Sequence, residues 1–289
     1  MRGLRVPDPL FRLLFLLALL SATGCGTEPP AAANTQEPTP RPALFDPARC
    51  GRVEGRVSWD GQIFELPQFL FGVPKRDGGF DMRMMPNPNR MVIDPESRGV
   101  ANAVVFLRKV DLAAAKPWDL PAVRVEMTDC NIVVKQGDSP PRRVGFVRRG
   151  ESVQITATDP FFHALRGRGA AFFTYTFPEP DRPRRRTFDT AGRVELSSAA
   201  GFYWASADLF VDDHPYYTLT DCHGSFVIDN VPAGRVEVVV WVPNFMVQKQ
   251  ERDPESGLIT RQTYAPPLER TRPLDVQAGA ARQADFAIP

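Results

Sequence analysis

The chain has 289 residues, with 35 Lys and Arg against 34 Asp and Glu, a formal net charge of +1. That balance supplies no global attraction to polyanions, and nucleic acid is not an expected partner. Its 29 prolines, 21 glycines and 20 phenylalanines suit short strands joined by many turns rather than long helices.

Arg2, Arg5 and Arg12 precede or begin an apolar run, Leu13 to Leu20, too short to span a bilayer as a mature helix. Residues 1–25 therefore read as a secretion signal. The run ends in Ser21, Ala22, Thr23, Gly24 and Cys25. Small residues before a cysteine resemble the bacterial lipoprotein box, although Ala22 stands where that pattern prefers Leu. The resemblance implies that Cys25 is lipidated and becomes the mature N-terminus. The alternative is an ordinary signal cut near Ala22 or Gly24. Gly26 in place of Asp implies, by the family's sorting rule, the outer membrane. Residues 26–47 hold Pro29, Pro30, Pro38, Pro40, Pro42 and Pro47 and little to bury, and are expected to form a disordered tether.

Residues 48–121 begin with alternation. Val53, Gly55, Val57 and Trp59 oppose Arg52, Glu54, Arg56 and Ser58, and Asp60-Gly61 is a hairpin-type turn. The next clear strand pattern is Ala101 to Leu107. A long loop is expected between, with Met82, Met84, Met85 and Met91 in it. Their spacing is irregular and no His or Cys lies among them, so packing is favoured over copper handling. Lys109 to Pro121 is expected as a second loop, anchored by Trp118.

Residues 122–212 read as further strands: VRVEMTD, NIVVKQG, RRVGFVRRG and ESVQITATD, then DPFFHALRGRGAAFFTYTF and RVELSSAAGFYWASADLFV. Asp181 to Arg186 is a basic run, read as a solvated loop. Gly167 and Gly169 are too sparse for a phosphate loop. Asp159, Asp208, Asp212 and Asp213 form no acid-base pair, since adjacent strand residues point to opposite faces. No Ser-His-Asp order is present.

Gly150, Val153, Ile155, Asp159 and His163, then Trp204 and His214-Pro215-Tyr216, resemble bacterial cupredoxin (plastocyanin-like) proteins. In that family a type 1 copper site needs two imidazoles, a thiolate and a weak axial group. The alignment makes His163 the remnant first ligand. It puts Ala199 at the cysteine, Phe202 at the second histidine and Ala205 at the methionine. The resemblance thus implies the fold without its copper centre, and no cofactor is expected. Cys130 is the available substitute thiolate for a rebuilt site.

In residues 213–289, Tyr216 to Thr220, Ser225 to Ile228 and Val236 to Trp241 read as strands, with turns at Asp221 to Gly224 and Asn230 to Gly234. Thr220, Asp221, Gly224, Phe226, Ile228, Val231, Pro232 and Gly234 resemble a carboxypeptidase-regulatory-like domain, a transthyretin-like (prealbumin-like) sandwich. VEGRVSWDG resembles its first strand. A charged loop at Lys249 to Glu255 precedes a returning strand to Tyr264, and Thr271 to Val276 and Ala284 to Ile288 close the chain.

The expected fold is all-β: two β-sandwiches after a signal peptide and linker. They are either interleaved or in tandem. The expected function is that of a non-catalytic, exported cell-envelope lipoprotein facing the periplasm or cell surface. It would bind or scaffold an envelope protein or glycan partner, with the membrane reached through its lipid anchor. One alternative is a copper-binding or electron-transfer cupredoxin with a rebuilt site. Another is a carbohydrate-binding accessory module using Tyr216, Tyr217 and Tyr264 as an exposed strip. Besides Cys25, Cys50, Cys130 and Cys222 permit one disulfide at most.

Overall fold

The computed structural model describes residues 45–289 apart from 64, 76 and 256. The signal sequence, Cys25 and most of the tether lie outside the described residues. Among those described, the helical content is one 3-10 turn, Pro47–Arg49, and everything else is strand, turn or loop.

The first segment contains β1 (Cys50–Trp59), the hairpin β2 (Phe69–Pro74) and β3 (Phe80–Met85), the short pair β4 (Val92–Ile93) and β5 (Val100–Ala101), and β6 (Val104–Arg108). The second contains β7 (Val123–Thr128), β8 (Asn131–Gln136), β9 (Val144–Arg148), β10 (Ser152–Ala157), β11 (His163–Gly169), β12 (Phe173–Phe177), β13 (Arg184–Thr187), β14 (Gly192–Ser198) and β15 (Ser206–Asp212). The third contains β16 (Tyr217–Leu219), β17 (Ser225–Pro232), β18 (Gly234–Val242), the hairpin β19 (Val247–Arg252) and β20 (Ile259–Tyr264), β21 (Leu268–Val276), β22 (Ala281–Gln283) and β23 (Phe286–Ile288).

The sheets do not follow these segments. Strands β17-β1-β22, with β23 also on β1, form one sheet, and β16-β6-β18-β21 form another. The first and third segments therefore build a single discontinuous sandwich. Its core includes Val53, Val57, Val105, Leu107, Tyr216, Phe226, Val238, Val240 and Ile288. The middle segment builds its own sandwich from β13-β10-β7-β8 and β12-β11-β14-β15-β9. Its core includes Val125, Ile155, Leu165, Phe177, Leu196, Trp204 and Leu209. It is inserted between β6 and β16, so the two sandwiches interleave in sequence.

A third apolar cluster joins them. Val104 and Phe106 of β6, Val239 and Trp241 of β18, and Tyr217 of β16 meet Phe146 of β9 and Phe210 of β15. On β18, Val236, Val238, Val240 and Val242 face one core while Val239 and Trp241 face the other cluster. This explains the near-continuous apolar run of that strand: both of its faces are buried. The same holds for β6, where all of Val104 to Leu107 are buried.

Several loop expectations are corrected. The methionine-bearing stretch contains the β2–β3 hairpin, paired from Phe69↔Met85 to Pro74↔Phe80. Met82 and Met84 are exposed on it, whereas Met85 packs onto the inserted core. The basic run is not simply a solvated loop. Arg184 to Thr187 pair with β10, and the Arg184 and Arg186 guanidinium groups lie over the rings of Tyr175, Phe177 and Phe173. Strand β17 continues through Asn230 to Pro232, so only Ala233 separates it from β18. Asp60-Gly61 closes no hairpin, because Asp60 N donates to Ile288 O of the C-terminal strand instead. The loop after β6 is held by Trp118, whose indole donates to Leu120 O, and also by Tyr216, whose hydroxyl accepts from Lys116 N.

Gly224 shows why the turn motif has its residue types. Its φ is +81°, and a Cβ there would sit 2.2 Å from Val57 O. Asp221 Oδ1 accepts from the backbone N–H groups of both His223 and Ser225, which closes that turn.

Candidate functional site

The first site is the end of the inserted sandwich to which the alignment assigns copper ligands. Strands β7 and β8 pair as far as Thr128↔Asn131, leaving a two-residue turn of Asp129 and Cys130. Both have positive φ, 49° and 57°, as a type I′ hairpin turn requires. Neither is glycine, and Asp159 holds the turn. Its Oδ1 accepts from Asp129 N at 2.9 Å and its Oδ2 from Cys130 N at 3.0 Å.

His163, buried at the start of β11, shares that carboxylate, with Nε2 2.8 Å from Asp159 Oδ2. The carboxylate accepts, so Nε2 carries the ring proton. Burial lowers the His163 pKa below its ordinary value, against the opposing pull of Asp159. Phe161 and Phe202 lie on the ring, each with centroids 5.3 Å away. Phe202 then contacts Trp204 at 5.6 Å, and Phe71 of the β2–β3 hairpin covers Trp204 at 4.5 Å.

The residues present do not fit a type 1 copper centre. Phe202 and Ala205 are buried in the core and offer no donor, and neither does Ala199. Cys130 is 1% exposed within the core, where burial first, then Asp159 and Asp129, push its thiol up to about 12. The orphaned buried polar atom here, Trp204 Nε1, is an N–H donor with no lone pair to give. Among the described residues no group of three or more His, Cys, Asp or Glu could hold a metal ion. Cys50, Cys130 and Cys222 are all free thiols, the first two buried and the last exposed.

The other candidate residues are dispersed. Asp212 Oδ2 accepts from the Tyr217 hydroxyl at 2.6 Å, and Asp213 pairs with Arg149 at 2.8 Å. His214 is buried beside Asp212, with its Nε2 3.6 Å from Asp212 Oδ2 and its pKa lowered by burial. The tyrosine strip does not exist as an exposed surface, because Tyr216 and Tyr217 are 0% and 8% exposed within the cores. Gly167 is a strand residue of β11, where Phe173 of β12 leaves no room for a Cβ.

A second site was not foreseen from the sequence. A cleft of about 500 Å3 lies between the outer face of β11-β14-β15 and the β19–β20 hairpin. Arg143, Arg166, Arg168, Arg193 and Arg261 line it, against Glu195 and Asp208. Arg193 is engaged: it bonds Glu195 Oε2 at 3.0 Å and lies over the Trp241 ring. Arg143 is fixed by Ser206 O and Oγ and by Pro88 O. Asp208 is different. Arg193 Nε is 3.3 Å from its Oδ1 but is not aligned to donate. No hydrogen bond to that carboxylate is formed among the described residues. Burial raises its pKa to about 6, with Arg193 and Arg143 opposing. The signal was present in HALRGRG: strict alternation puts Arg166 and Arg168 on one face of β11 and Leu165 and Gly167 on the other. What they face was not readable.

No family model matches this chain, and no curated protein matches it. Among solved structures it is similar to a methionine-to-alanine variant of amicyanin in its Cu(I) form. That match has 15% identity and a TM-score of 0.25, and covers 31% of this chain and 81% of that one. A copper-containing nitrite reductase from Thermus scotoductus matches at 18% identity and TM-score 0.26, over 34% of this chain and 23% of that one. A purple cupredoxin from Nitrosopumilus maritimus matches at 14% identity and TM-score 0.24, over 30% and 97%. At these values the likeness decides nothing about the site, whose chemistry rests on the residues present.

Proposed function

We propose that this chain is a non-catalytic binding or scaffolding lipoprotein of the cell envelope, exported and anchored through Cys25. In this reading the inserted part is a cupredoxin-like sandwich without its copper centre. The discontinuous part is a carboxypeptidase-regulatory-like sandwich that carries it. One observation supports the reading most: the imidazole of His163 is tied to Asp159 and packed against Phe202, the residue that the sequence resemblance aligns with the second histidine ligand. The end of the sandwich is thereby filled by rings.

The full chain, purified in non-ionic detergent and incubated with Cu(II) or Cu(I), is expected to retain no stoichiometric copper and to show no thiolate-to-copper absorption band. One copper per chain with such a band would sink the reading, and His163 and Cys130 would be the first positions to substitute.

The anchor has its own test. Cells fed a labelled fatty acid are expected to label the parent chain and not a Cys25→Ser variant, which should move to the soluble exported fraction. Equal labelling of both would remove the lipid anchor from the proposal.

A further inference from the structure

We propose that the cleft between β11-β14-β15 and the β19–β20 hairpin binds an acidic saccharide, its charged group on Arg166, Arg168 and Arg261 and a hydroxyl on Asp208. This deepens the binding-module reading and rests on it.

The charge argument comes first. Five arginines and two carboxylates line the cleft. Glu195 is taken by Arg193. Neither Arg166 nor Arg168 has a carboxylate within ion-pair distance among the described residues. Arg261 approaches Glu251 only at 3.9 Å, and that carboxylate already holds Lys249 at 2.7 Å. Three guanidinium groups on two facing walls are thus available to an anion. A cleft with low-dielectric walls focuses their field, and planar guanidinium groups suit carboxylate and sulfate groups.

The second argument concerns the remaining chemistry. Asp208, with 15% of its side chain accessible, has a carboxylate that receives no hydrogen bond among the described residues. Its Oδ1 is sealed from solvent, so a ligand hydroxyl would meet the accessible part of the carboxylate, which would repel a bare anion. Ser197, Ser198, Thr260 and Gln262 add polar groups along the walls, and Tyr264 adds a ring. A phosphate ion is only a few water volumes in size and would leave most of the cleft unfilled. A ligand with both acid and hydroxyl groups uses all of these features.

The test is calorimetric titration of the full chain with digalacturonate, a sulfated disaccharide, neutral cellobiose and inorganic phosphate. The acid group is read as charge, so binding of either acidic disaccharide supports the proposal. It should be at least about tenfold tighter than cellobiose or phosphate. It should weaken as salt is raised. The Arg166→Ala/Arg168→Ala double variant should lose about tenfold or more in affinity, the scale of one charge-assisted hydrogen bond, with an unchanged thermal midpoint. Equal binding of cellobiose or phosphate, no binding of either acidic probe, or undiminished binding by the double variant would each overturn it. Copper retention would instead count against the scaffold reading and leave these titrations unaffected, so the two failures are distinguishable.

Discussion

Asp159→Ala should lower the stability of the chain by about 3–5 kcal/mol. Three donors converge on that carboxylate: the backbone N–H groups of Asp129 and Cys130, and His163 Nε2. Two of the three are shielded from water along with their acceptor, since His163 is 2% exposed, Cys130 1% and Asp159 8%, whereas Asp129 is exposed and its N–H can turn to water. Each orphaned donor costs on the order of 1–3 kcal/mol. The loss also removes the restraint on two non-glycine residues held at positive φ. Asp159→Asn keeps one acceptor oxygen but turns a donor toward the other bonds, so an intermediate loss is expected. Urea unfolding followed by tryptophan fluorescence measures both. A midpoint for Asp159→Ala within error of the parent would show that the carboxylate does not hold the turn.

Phe210→Ala is expected to cost about 3–5 kcal/mol, the range for deleting a fully packed phenylalanine. Its ring lies 5.7 Å from Phe106, 6.3 Å from Phe146, 6.0 Å from Tyr217 and 5.3 Å from Trp241. It is the centre of the cluster joining the two sandwiches, while the interior cores are formed by other residues. The variant should therefore lose coupling as well as stability. Calorimetry should show the parent unfolding in one transition and the variant in two. A single transition at an unshifted temperature would mean that the cluster contributes little to joining the halves.

Much of the secondary structure was legible because its causes are local. The alternation from Val53 to Trp59 predicts a strand with one buried face, and those residues are buried in β1. The β-branched run from Val236 predicts a strand, though not that its opposite faces serve two different clusters. The β2–β3 hairpin was missed because its outer residues, Leu70, Phe80, Met82 and Met84, are exposed apolar groups that obscure the alternation. The exposed tyrosine strip failed for a related reason: Tyr216 and Tyr217 are amphipathic, and sequence does not say whether the hydroxyl meets water or, as here, Asn230 O and Asp212 Oδ2.

Sequence alone determined that Ala199, Phe202 and Ala205 offer no ligand atom at the positions the alignment gives them, because phenylalanine and alanine have no side-chain lone pair in any conformation; where Cys130 lies relative to His163 took the tertiary structure. Sequence alone also determined the all-β class, since period-2 alternation and turn residues act over a few neighbours. Tertiary structure alone decided that strands separated by the whole inserted sandwich share two sheets, since pairing such as Val105↔Val240 depends on backbone groups that are alike at every position. It alone assigned Asp159 to a hairpin turn 29 residues away. It alone set Arg166 and Arg168 opposite Arg261, because charge on one strand face carries no record of which later hairpin will cross it.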